Sequence, residues 1–191
     1  MKKIFFGSIT LFIFSLFLSC GGGTEELSLE DDFNVVKVAS MYELSVPNYM
    51  EQAVDLNEEA SLQYQNLTKE TYVIVIDEPK GEFEEIFRSL GEWNEELSLI
   101  ENYRDLQVGY FTESTDMQNK SEPTSLKIDG LPTEMVALEG RPDGMQYDIY
   151  YQLGFIEGKE NIYMITAWTL LDRKEKYKKT FEMIVKSFKL L

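Results

Sequence analysis

Between Ile4 and Leu18 the chain is almost unbroken in apolar residues, whereas from Phe33 onward apolar and polar positions recur in short periods. Phe33-Asn-Val-Val-Lys-Val38 and Tyr42-Glu-Leu-Ser-Val46 are β-rich, and Pro47-Asn48 closes the second. Ala60 to Asn66 alternates around Leu62 and Tyr64. Thr71 to Ile76 is apolar on both faces, which predicts a strand covered on both sides and paired with its predecessor in a hairpin. After Pro79 the period lengthens. Phe83, Ile86, Phe87 and Leu90 stand at i, i+3, i+4 and i+7, one stripe of a helix that Gly91 breaks or bends. Leu99, Tyr103, Leu106 and Tyr110 predict a second helix over 95–111, and Thr112 to Thr124 reads as a polar loop. Strands return at Leu126-Lys-Ile128 and at Met135 to Leu138, with a turn at Gly140-Arg-Pro-Asp-Gly144. The next strand alternates Tyr147, Ile149, Tyr151, Leu153 and Phe155 with Gln146, Asp148, Tyr150 and Gln152, and Ile162 to Trp168 is again apolar on both faces. Asp172 and Glu175 have capping-box spacing ahead of a closing helix striped by Tyr177, Phe181, Ile184 and Val185, and a short strand follows within 187–191.

The N-terminal run differs in kind. Met1-Lys2-Lys3 followed by an apolar core of about 15 residues is short for a membrane span and has the form of a secretory signal peptide. It ends in Leu16-Phe17-Leu18-Ser19-Cys20, and Cys20 is the sole cysteine. The stretch resembles a bacterial lipobox, with Phe17 where Leu is usual. That resemblance implies diacylglyceryl transfer to Cys20, cleavage before it, and anchoring of the cell-envelope protein, expected at the outer membrane, through its acyl chains. One acyl chain binds a bilayer only reversibly, so stable residence requires two or three. The expected organisation is a signal peptide over 1–19, a lipidated acidic tether over 20–32 and a single domain over 33–191. Gly21-Gly22-Gly23 keep the tether flexible, and its acidic run is solvated.

Charge narrows the partners. The net charge of −16 becomes −18 once Lys2 and Lys3 are removed, which argues against nucleic acid and against a domain lying on an anionic bilayer. With no second cysteine the fold stands on packing alone, and 43% apolar composition is ample for that.

The element order, together with Tyr42-Glu-Leu-Ser-Val-Pro47, Asn161-Ile-Tyr-Met-Ile-Thr-Ala-Trp168 and Ile184-Val-Lys-Ser-Phe188, resembles the PsbP-like family over roughly residues 33–191. The resemblance implies an α+β fold, an α/β/α sandwich whose mainly antiparallel sheet is flanked by helices. It also implies scaffolding and partner binding, with no catalytic residue carried over.

The residues themselves offer little chemistry. There is no histidine, which removes the commonest general base and most zinc sites. No nucleophile elbow, P-loop or dinucleotide fingerprint is present. No cofactor or metal is expected, although Asp55-x-Asn57-x-Glu59 has the oxygen spacing that calcium uses. Two candidate surfaces remain. Asp148, Tyr150 and Gln152, with Gln146, Thr166 and Trp168, form a candidate ligand face, against the alternative that helices cover it. Arg173, Lys174, Lys176, Lys178 and Lys179 form a candidate partner strip on the closing helix. The expected function is that of a non-enzymatic interaction or accessory protein, the alternatives being a carboxylate-dependent hydrolase or a binder of small ligands or divalent cations.

Overall fold

The two segments with apolar residues on both faces become neighbours at the centre of an eight-stranded sheet, as strands with no polar face must. A computed structural model describes residues 27–191; the expected signal peptide, Cys20 and the first part of the expected tether lie outside the described residues. The elements run β1 (Phe33–Val38), β2 (Tyr42–Pro47), β3 (Glu51–Gln52), β4 (Leu62–Asn66), β5 (Thr71–Pro79), α1 (Lys80–Leu90), α2 (Leu99–Glu113) and β6 (Thr115–Lys120). They continue as β7 (Thr124–Ile128), β8 (Leu131–Pro142), β9 (Ile149–Glu157), β10 (Asn161–Leu170), α3 (Lys174–Lys186) and β11 (Lys189–Leu190), with a 3₁₀ turn at Leu171–Arg173 leading into α3. The large sheet has the order β3-β4-β5-β10-β9-β8-β6, with β7 also on β8; β1, β2 and β11 form a second sheet of three strands. Every pairing is antiparallel.

Each face of the large sheet has its own core. On one, Val73, Val75, Tyr150, Ile156 and Ile165 pack with Tyr42, Leu44 and Val46 of β2 and with Tyr177, Phe181, Ile184 and Val185 of α3. On the other, Ile74, Ile76, Leu153, Phe155, Ile162 and Met164 pack with Phe83 of α1 and Ile100, Tyr103 and Val108 of α2. The result is the α+β sandwich that the PsbP-like resemblance implied, with helices on both faces. Among the described residues no helix is long and apolar enough to cross a membrane.

The contact between α3 and the sheet depends on an absent side chain. A Cβ placed on Gly154 of β9 would lie 2.3 Å from Cγ1 of Val185. Gly154→Ala is therefore expected to cost about 1–3 kcal/mol, the usual range for overpacking. Val185→Ala should recover part of that loss in a double-mutant cycle read by urea unfolding. Simple additivity of the two substitutions would show that the contact does not limit the packing.

Several local expectations are corrected. Thr115–Lys120 is a strand, not part of a loop, and is mostly exposed; it is held by pairing with β8 and by Met117, which packs against the α1/α2-side core. Strand β8 runs through Gly140 to Pro142, so the turn falls after it, with Gly144 at φ 79°. Helix α2 begins at Leu99, and its buried residues include Ile100, Tyr103 and Val108, while Tyr110 is exposed. The capping box belongs to α2, where Ser98 and Glu101 bond reciprocally, and α3 has no side-chain cap at Asp172. Within the expected tether, Ser28 to Asp32 forms a turn. The Ser28 N–H donates to Asp32 Oδ2 at 2.9 Å, and Asn48 donates to the carbonyls of Asp31 and Asp32 at 2.8 Å.

Candidate functional site

Strand register decides the fate of the candidate ligand face. Residues directly opposite in an antiparallel pair share a face. Trp168 lies opposite Tyr151, and Thr166 opposite Leu153, whereas Gln152 lies opposite Ala167. Trp168 and Thr166 are therefore on the α1/α2 face, while Tyr150 and Gln152 are on the α3 face. The structure does not bring the four named residues together. Tyr150 is buried against Phe181, ring centroids 6.3 Å apart, and its hydroxyl donates to Gln152 Oε1 at 3.1 Å. Gln152 Nε2 in turn donates to the carbonyls of Val136 and Leu153. Burial, assisted by Glu182, Glu139 and Glu175, pushes the Tyr150 pKa up to about 12. This is a core polar pair with its bonds made. Trp168 stacks on Tyr72 at 5.1 Å. Asp148 is half-buried near solvent, where the hydrogen bond from Arg141 Nε (2.9 Å) holds its carboxyl below the usual range. It lines an open groove of about 410 Å³ with Gln146, Tyr147, Leu170, Leu171 and Asp172.

The basic residues of the closing helix do not form one strip. At 100° per residue they are spread around the axis, and acidic partners absorb several of them. Lys174 Nζ reaches Glu139 at 2.6 Å and sits over the Tyr150 ring, and Lys178 reaches Glu175 at 2.6 Å. Arg173 donates to the carbonyl of Thr68, and Lys176 lies over Tyr177. Of these five, Lys176 and Lys179 are the exposed ones. Glu175 is pulled below its ordinary pKa by Lys178.

In the Asp55-Asn57-Glu59 loop the central residue is engaged locally. Asn57 Oδ1 accepts from the Glu59 N–H, and Gln63 Oε1 accepts from the Leu56 and Asn57 N–H groups. Among the described residues no set of three or more acidic side chains is arranged to hold a metal.

A polar layer under α2 is the feature missed from sequence. The Ser98 cap fixes the start of α2, and Asn102 ties it to the preceding loop by donating to the carbonyls of Asn94, Leu97 and Ser98. The next two residues then reach the sheet. Tyr103, wholly buried, donates to Glu78 Oε1 at 2.6 Å; its hydroxyl pKa is raised by burial and then by Glu78. Arg104 Nη1 donates to Glu134 Oε2 at 2.6 Å and its Nε to Asp105 at 2.8 Å. Lys80 Nζ meets Glu157 at 2.7 Å. Glu78, Glu134 and Glu157 come from β5, β8 and β9 on the α1/α2 side, and each is taken up by a donor. A hydrolase needs two carboxyls free to face one bond; these three fasten helices to strands. The signal for Arg104 was its position, since Ile100, Arg104 and Val108 are four apart on one buried stripe.

The solution structure of PsbP (CyanoP) from Synechocystis sp. PCC 6803 matches with a TM-score of 0.54 at 13% identity, covering 91% of this chain and 98% of that one. The fold is PsbP-like. The crystal structure of LpqN from Mycobacterium tuberculosis matches at TM-score 0.50 and 10% identity, over 83% of this chain and 90% of that one. A variant of the protein Mog1 matches at TM-score 0.50 and 12% identity, over 83% and 95%. No protein-family model matches the sequence, and no curated protein matches it significantly.

One surface of this PsbP-like domain is left apolar. Of the α1 stripe, Phe83 is buried and Phe87 packs on it with ring centroids 4.6 Å apart, but Ile86 and Leu90 project to solvent. The periodicity foresaw the stripe, though not that half of it lacks a cover.

Proposed function

We propose that this PsbP-like protein is a lipid-anchored accessory domain of the cell envelope that works by holding another protein. The observation carrying the reading is that the buried charged groups are spent in tying helices to the sheet. Arg104 is bound to Glu134, and the part-buried Lys80 to Glu157, which leaves exposed surface as the place where function resides. The fold is compatible with such work: LpqN is described as involved in cell envelope biogenesis. Membrane attachment comes from the lipobox-like end of the leader. Cys20→Ala is expected to abolish metabolic labelling by fatty acid and retention in the membrane fraction, while thermal unfolding of the domain stays unchanged. Continued lipid labelling of that variant would overturn the anchor. Outer-membrane residence is tested by density-gradient fractionation, and protease treatment of whole cells separates surface display from a periplasmic orientation. Site-specific photo-crosslinking in intact cells, from positions such as Tyr147 in the Asp148 groove, tests for a bound protein.

A further inference from the structure

Helix α1 is secured to the domain by one part of its apolar stripe. Ile86 and Leu90 are 52% and 61% exposed. Residues four apart adjoin on a helix surface, so the two form one ridge beside the half-buried Phe87. A single exposed apolar pair is ordinary on a protein surface. The charge around this one is not.

From Lys80 to Glu101 the chain carries seven glutamates against two cations. Both cations are engaged. Lys80 is held by Glu157, while Arg88 bonds Glu84 and Glu95 and lies 4.5 Å above the Trp93 ring. Glu101 is committed to the Ser98 cap. Glu82, Glu85, Glu92 and Glu96 are exposed and have no ion-pair partner among the described residues. Glu82 stands one turn before Ile86, so carboxylates lie along the ridge as well as beyond its end.

We propose that the Ile86–Leu90 ridge is the docking face for a cationic amphipathic helix of another protein, with apolar anchors three or four residues apart and Lys or Arg beside them. The proposal rests on the accessory-protein reading and names its partner class. Charge selects the occupant. An anionic bilayer would be repelled by four unpaired carboxylates. A second copy would bring a net charge of −16 toward the same field, and the exposed cations of its α3 stand among Glu175 and Glu182. A helix suits the site better than an extended peptide, because α1 makes its backbone hydrogen bonds internally and offers no strand edge. Apolar contact of this small extent gives modest affinity, while the surrounding charge speeds association and makes it salt-dependent.

The test uses the mature protein, labelled for NMR, and a synthetic helical peptide of about 15 residues built of Leu anchors and Lys. The expected result is chemical-shift changes concentrated in residues 80–96 and binding that weakens steeply with salt. Ile86→Ser with Leu90→Ser, and separately Glu82→Lys with Glu85→Lys, should each weaken binding about tenfold or more while leaving the melting temperature near that of the parent. A peptide with Glu in place of Lys should not bind. Shift changes centred elsewhere, or affinity unmoved by either double variant, would overturn the proposal. So would self-association, seen by sedimentation, that the Ile86/Leu90 variant abolishes, since the ridge would then serve a second copy. Any of these failures leaves the accessory reading to be judged by the crosslinking from other positions.

Discussion

Replacing Arg104 by Ala is expected to destabilise the domain by about 3–5 kcal/mol, the range for breaking one side of a buried ion pair. Arg104 and Glu134 are 8% and 3% exposed, so the carboxylate left behind would have neither its donor nor water. Burial pulls the guanidinium pKa down, and Asp105 and Glu134 more than offset that pull, which is the balance a well-formed pair requires. The loss is much of the stability of a typical domain, about 5–15 kcal/mol. The charges themselves need not be net stabilising. Arg104→Met combined with Glu134→Leu should return to within about 1 kcal/mol of the parent, or exceed it, because both desolvation costs vanish together. Urea unfolding of the two single variants and the double variant reads the coupling directly. If Arg104→Ala costs the same with Glu134→Leu as without it, the pair is not what holds α2 to β8.

Phe181→Ala is the second large effect, again about 3–5 kcal/mol, here from lost apolar burial plus the cavity left behind. The ring is fully buried and stands between Tyr150 at 6.3 Å and Tyr177 at 6.2 Å, so two aromatic neighbours lose a packing partner together. For a chain of this size the midpoint of thermal unfolding should fall by about 10 °C or more. Phe181→Leu, which keeps most of the volume, should cost much less. Equal losses for the two substitutions would mean that α3 is not seated through this side chain.

Elements with a buried face were legible in the sequence because burial writes a period into the chain. The double-sided runs of β5 and β10, the α3 stripe and the Gly91 stop each left such a mark. Strand β6 left none. Of its six residues only Met117 packs against a core and the rest are held by the partner β8, so Thr115 to Lys120 carries too little alternation to read. The candidate ligand face failed for a related reason. Alternation shows which residues of one strand share a side, but the pairing of Trp168 with Tyr151 and not Tyr150 is set by β9–β10 register, a property of two strands at once. The closing helix misled through composition: Lys174 looks unopposed along the chain until Glu139 of β8 folds against it, and Lys178 is already paired with Glu175 one turn away on the same helix. Ile86 and Leu90 had the right spacing for burial, and only the placement of neighbouring elements leaves them bare.

The small sheet joins the two ends of the described chain, since β2 pairs with β11 at Glu43↔Lys189 and Tyr42↔Leu190. Tyr42 is further locked between Phe188, at 5.2 Å, and Tyr163, at 5.4 Å. Contacts of such sequence separation raise the contact order, and closing so long a loop costs entropy before any contact repays it. A chain delivered from its N-terminus outward can assemble the hairpins of the large sheet as they emerge. It cannot bury Tyr42 until its last helix has arrived, so the part of that face under α3 stays wet, and open to chaperones or proteases, until delivery is complete.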